Sequence, residues 1–128
     1  MAHLPLRASA SGGVSMRLDQ YEAIDWDSED DPSGNLVHCQ RPNHLGRFAE
    51  QIVHEVLTEE PYEIKYPVKT AEFAIVGPDR ERTRLWVILF DTSWKRGDWL
   101  RPVTGWPAEQ AEQRQWEQRG GRLRRRPR

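Results

Sequence analysis

Six consecutive apolar residues, Leu85-Trp-Val-Ile-Leu-Phe90, constrain this chain more than anything else in it. A run so short and uninterrupted, with β-branched and aromatic side chains, suits a central strand covered on both faces. Two neighbouring stretches can pair with it. Ala71-Glu-Phe-Ala-Ile-Val76 alternates, with Phe73 and Ile75 on one face and Glu72, Ala74 and Val76 on the other. Trp99 to Thr104 follows the polar connection Ser93-Trp-Lys-Arg-Gly-Asp98. Gly77-Pro-Asp79 is turn chemistry, lengthened by Arg80, Glu81, Arg82 and Arg84. Links this short predict an antiparallel meander with Leu85 to Phe90 in its middle.

Helices are predicted before and after these strands. Phe48, Ala49, Ile52, Val53, Val56 and Leu57 recur at helical spacing between Gly46 and Glu60, with Glu50, Gln51, Glu55 and Glu59 turned outward, His54 on the flank and Pro61 as the stop. Pro107 suits the first position of a last helix through Trp116, because its missing N–H costs nothing there. Tyr21 to Asp27 reads as a short edge strand broken by Asp31-Pro-Ser-Gly-Asn35. The class is therefore α+β.

With 128 residues and one dense apolar region, the chain supports one domain with a small core. A mean hydropathy of -0.85 leaves long polar stretches that cannot offset their ordering entropy. The expected organisation is a flexible segment over 1–18, a domain over 19–119 and a flexible arginine-rich tail over 120–128, with Met1 or Met16 as the start. No apolar run approaches the roughly 20 residues of a membrane helix, and Met1 to Val14 lacks the apolar core of a secretion signal. Cys39 is the only cysteine, which excludes an internal disulfide and suits a reducing cytoplasm. Beside His38 and His44 it makes a poor metal set, because structural zinc takes four ligands. A buried thiol next to surface histidines is expected, with no metal and no cofactor.

Charge is split along the chain. Asp19, Glu22, Asp25, Asp27, Glu29, Asp30 and Asp31 form an acidic block, whereas Arg114, Arg119, Arg122, Arg124, Arg125, Arg126 and Arg128 load the far end. Beyond Gly120-Gly121 such a tail either neutralises phosphates of RNA or DNA without sequence preference, or simply solubilises the chain.

Several short motifs stand in a telling order: Trp26-Asp27; Asn35 with His38, or Asn43 with His44; Glu55-Val-Leu57; Phe73 to Gly77; and Thr104, Gly105, Trp106, Glu112, Gln113, Arg114 and Trp116. From about Asp25 to Gln118 the chain resembles the BrnT toxins, RelE-like small ribonucleases held inactive by a partner antitoxin. The resemblance implies a RelE-like fold, metal-independent cleavage of messenger RNA in the cytoplasm, and an antitoxin protein as partner. The chain departs from the family at two places. Glu72 follows Lys69 where basic residues usually open the second strand, and Trp106 stands where an arginine usually ends the last one.

Cleaving RNA through its 2′-hydroxyl needs a base for that hydroxyl, a cation for the phosphorane charge and a proton for the leaving oxygen. Lys69, Arg84 and Arg101 are the nearest basic candidates for catalysis, supported by Lys65. Trp94 and Trp106, with Lys95 and Arg96, could stack bases and hold phosphates, as Arg122, Arg124 and Arg125 could hold them in the tail. Core packing and protein docking are the competing uses of such tryptophans. The rival functions are a catalytically lapsed interaction module on the toxin scaffold and a nucleic-acid-binding accessory protein driven by its tail.

Overall fold

The computed structural model describes residues 21–66 and 68–124. The segment 1–18, Asp19 of the acidic block, and Arg125, Arg126 and Arg128 of the tail lie outside the described residues. In chain order the elements are β1 (Ala23–Ile24), α1 (Asn35–Cys39), α2 (Ala49–Thr58), β2 (Glu63–Lys65), β3 (Phe73–Pro78), β4 (Leu85–Thr92), β5 (Trp99–Pro107) and α3 (Gln110–Gln118).

Strands β3, β4 and β5 pair in sequence and antiparallel, with β4 between its neighbours. Phe73 faces Phe90 and Pro78 faces Leu85, while Trp86 faces Pro107 and Thr92 faces Leu100, with a register shift at Leu89/Phe90. The complete sheet is not the all-antiparallel one expected. Its order is β1-β5-β4-β3-β2, and β1 lies parallel to β5, Ala23 opposite Trp99 and Ile24 opposite Leu100. A parallel partner needs a long crossover. The chain supplies one through α1 and α2, crossing the sheet to β2, which pairs antiparallel with β3 at the far edge.

Period-two alternation sorts the core into two layers. Trp86, Ile88 and Phe90 join Phe73 and Ile75 beneath α1 and α2, with Trp26, Val53, Val56 and Leu57. Leu85, Val87 and Leu89 join Ala74 and Val76 on the opposite face, against Trp116 of α3. Trp116 is fully buried, and its Nε1 donates to the Pro61 carbonyl at 2.7 Å. Both faces of β4 are thus covered, as its sequence required.

Three local expectations change. Glu55 faces inward on α2, because its carboxylate accepts the Gln51 amide at 2.7 Å and the Arg80 backbone N–H at 2.8 Å. Pro107 ends β5 instead of opening α3. The Ala108 N–H donates to Leu85 at 2.9 Å, and the helix starts behind Glu109, whose capping box with Glu112 satisfies the first turn. The third change concerns the tail. Gly120, at φ +98°, ends the helix, and a Cβ on Gly121 would come within 2.3 Å of the Trp116 ring. Leu123 then packs against the second layer and the Arg124 N–H donates to the Arg82 carbonyl at 2.7 Å. The stretch expected to leave the domain at Gly120 is held against it through Arg124.

Candidate functional site

One end of the sheet gathers most of the polar chemistry. Just past β1, Asp25 is completely buried; its carboxylate accepts the Ser93 hydroxyl at 2.7 Å and lies 3.3 Å from the Arg101 guanidinium and 3.5 Å from the Lys95 ammonium. Two residues on, Asp27 takes the same guanidinium in a two-bond fork of 3.0 and 2.6 Å. Asn35, at the start of α1, exchanges bonds with Asp27: its side-chain oxygen accepts the Asp27 N–H and its own N–H donates to the Asp27 carboxylate. Its amide nitrogen donates to the Asp25 and Pro102 carbonyls. The Arg101 guanidinium holds the Asp27 carboxyl below its ordinary range. Two carboxylates meet two cations here, so the group as a whole offers little net field to a phosphate.

Beside this network lies an open cleft of about 370 Å³, lined among others by Gly34, Asn35, His38, Arg41, Asp91 and Arg101. His38 sits on α1, with Nε2 3.1 Å from Thr104 Oγ1 on β5. His44, from the loop after α1, meets it edge-on at 4.6 Å between ring centroids and is itself 2.8 Å from the Asn43 amide oxygen. Partial burial, and then the neighbouring His44 and Arg41, lower the His38 pKa, which favours the neutral imidazole. Arg41 is exposed and makes no ion pair among the described residues. The cleft therefore presents the His38 imidazole, the Arg41 guanidinium and the Asp91 carboxylate, while His44 stands against His38 outside the lining.

The basic residues singled out from sequence do not converge. Arg101 lies opposite Asp91, near the end of β4, whereas Arg84 stands just before Leu85 at its start. Seven residues of strand separate Arg84 from Asp91, about 23 Å at ~3.3 Å per residue. Arg84 instead lies 5.6 Å over the Trp86 ring and lines a second shallow cleft with Pro107, Gln113 and Leu123. Lys69 is exposed in the β2–β3 connection. Lys65 turns to the α3 side, where its ammonium donates to Gln115 at 3.2 Å. Trp106 packs on the second core layer, but Trp94 stands 80% exposed with the Lys95 ammonium 5.4 Å from its ring. Arg96 pairs with Glu22 and Asp98, while Arg122 and Arg124 are exposed and Arg125 is outside the described residues.

Cys39 is buried as expected, its thiol pushed up to about 12 by desolvation. Sequence reasoning treated His38 and His44 as surface histidines and passed over Arg41 and Asp91. The available signal was the three-residue spacing of His38, Arg41 and His44, which puts them on one side of a helix and its following turn. No helix among the described residues is long and apolar enough to cross a membrane. Comparison with known proteins yields no relative: no family model, curated protein or solved structure matches the chain.

Proposed function

We propose that this chain is a RelE-like toxin-type module that cleaves RNA without a metal, with its site at the His38 cleft. The observation that carries the reading is that His38, an imidazole whose pKa is lowered, lines one open cleft with Arg41, a guanidinium that makes no ion pair among the described residues. His38 takes the proton of the ribose 2′-hydroxyl as that oxygen attacks phosphorus. Arg41 balances the charge that develops on the phosphorane oxygens. The bond to the 5′ oxygen then breaks, leaving a 2′,3′-cyclic phosphate and a 5′-hydroxyl protonated from solvent. Thr104 fixes the imidazole; when its hydroxyl accepts from Nε2–H, the lone pair available to substrate is on Nδ1. The two imidazoles are too close for a phosphate to fit between them, so His44 acts from the same side, helping to keep His38 neutral.

Arg101 has a different part in this scheme. Its guanidinium is already forked onto Asp27, so it builds the wall of the cleft and leaves phosphate binding to Arg41. The resemblance to antitoxin-controlled toxins further predicts inhibition by a small protein from the adjacent reading frame. The test is cleavage of messenger RNA by the purified full chain, with growth arrest on its expression. His38→Ala and Arg41→Ala should each abolish cleavage while Lys69→Ala and Arg84→Ala retain it. Full activity of the His38 and Arg41 variants, or none in the parent chain, overturns the proposal.

A further inference from the structure

One group lining the cleft has no part in the cleavage scheme. Asp91 stands near the end of β4, opposite Arg101 in the sheet register and half-buried in the cleft wall. Its Oδ1 accepts the Glu72 backbone N–H at 2.8 Å, which fixes the carboxylate. Its Oδ2 has no hydrogen bond and the group makes no ion pair among the described residues; Arg101 gives its guanidinium to Asp25 and Asp27 instead. Holding Glu72, the residue before β3, thus takes one oxygen and leaves the other for a ligand.

The cleft is thereby polarised. A phosphate is attracted by Arg41 and repelled by Asp91, so a nucleotide seats its phosphate on Arg41 and turns a hydrogen-bond donor to Asp91. The volume of about 370 Å³ gives room for one nucleotide. A carboxylate accepts hydrogen bonds and donates none. Cytosine N4 and adenine N6 are amino groups that donate, whereas uracil and guanine carry carbonyl oxygens at the corresponding positions. A carbonyl there sets one acceptor against another. Guanine's other donors, N1–H and N2–H, form a fork that needs both carboxylate oxygens, and Oδ1 is committed to Glu72. We infer that Asp91 is a specificity-determining residue, selecting cytosine or adenine at the nucleotide whose phosphate lies on Arg41.

The inference rests on the cleavage reading for the place of the phosphate, and equilibrium binding separates the two. The probes are the 3′-monophosphates of cytidine, uridine, adenosine and guanosine, which have no bond left to cleave, titrated calorimetrically into the full chain. The cytidine nucleotide should bind roughly 10- to 150-fold more tightly than the uridine one, the worth of one hydrogen bond to a charged group. Adenosine should exceed guanosine in the same sense. Asp91→Asn keeps an acceptor for the Glu72 N–H and so turns its NH2 to the cleft; the order should invert, uridine over cytidine and guanosine over adenosine. A role confined to holding Glu72 predicts no inversion. Arg41→Ala should weaken all the nucleotides alike and leave their order intact. Equal affinities in the parent chain, an order unchanged in Asp91→Asn, or no binding of any nucleotide overturns the inference. If the order inverts but the parent chain cleaves no RNA, only the cleavage reading fails. If RNA is cleaved and the order does not invert, only the base selection fails.

Discussion

Two polar groups adjoin at one end of the sheet and differ in how far their bonding capacity is used. Around Asp25, every strong group has its partner: a carboxylate with Ser93, Lys95 and Arg101, a guanidinium forked onto Asp27, and Asn35 bonded on both sides of its amide. Around His38, an imidazole has one hydroxyl, a second imidazole has one amide, and Arg41 has no ion pair among the described residues. The first group holds β1, β5 and α1 together; the second has capacity to spare for a ligand. Residue type alone does not separate the two roles. Arg101 is the most chemically suggestive arginine in the sequence, and the fold spends it on architecture.

The largest effect should come from emptying the saturated group. Asp25→Ala leaves a guanidinium and an ammonium facing a buried hole, and breaking such a pair costs about 3 kcal/mol or more; urea unfolding measures it. His38→Ala should cost less than about 1 kcal/mol, since it is only half-buried. Comparable losses for both would erase the distinction between the groups. Next in size is the coupling between Asp27 and Arg101, expected at about 1–3 kcal/mol in a double-mutant cycle, against a value near zero for Asp27 and Arg41.

Acid should resolve the groups into two steps of the same sign. The folded pKa of His38 is lowered from 6.5, so as pH falls below that value the unfolded chain binds the proton first and stability declines until the folded imidazole titrates too. The Asp27 carboxyl is lowered from 3.8, so its contribution is complete above that pH and lost as pH falls through its folded value. Urea midpoints followed against pH should lose the upper step in His38→Gln and the lower one in Asp27→Asn. The smallest effect belongs to Arg84→Ala, within about 0.5 kcal/mol of the parent in stability, because its guanidinium is exposed above an already buried ring.

Much of the fold could be read from periodicity alone. The alternation of β3 assigned its side chains to two faces, the unbroken apolar run of β4 called for cover on both of its faces, and the apolar stripe of α2 marked its buried face. What periodicity cannot show is tertiary bonding. The five residues of α1 are too few for a helical pattern, and they are anchored by Asn35 bonds to Asp27, eight residues back, and to Pro102, 67 residues on. Glu55 reads as an outward residue until the Arg80 backbone arrives to donate to it. The scattering of the basic candidates was within reach, however. In an antiparallel pair the start of one strand faces the end of the next, so Leu85 meets the neighbourhood of Pro107 and not that of Arg101. A residue just before β4 and one near the start of β5 belong to opposite ends of the sheet.

Cys39 gives the cleft a built-in clock. The lone thiol closes the helix that carries His38, fully covered and held protonated far above neutrality, so an alkylating reagent finds no thiolate while that helix is seated. Each modification event records an excursion of α1 away from the sheet. Because labelling proceeds only from the open form, its rate as reagent concentration varies separates how often the helix departs from how quickly it returns.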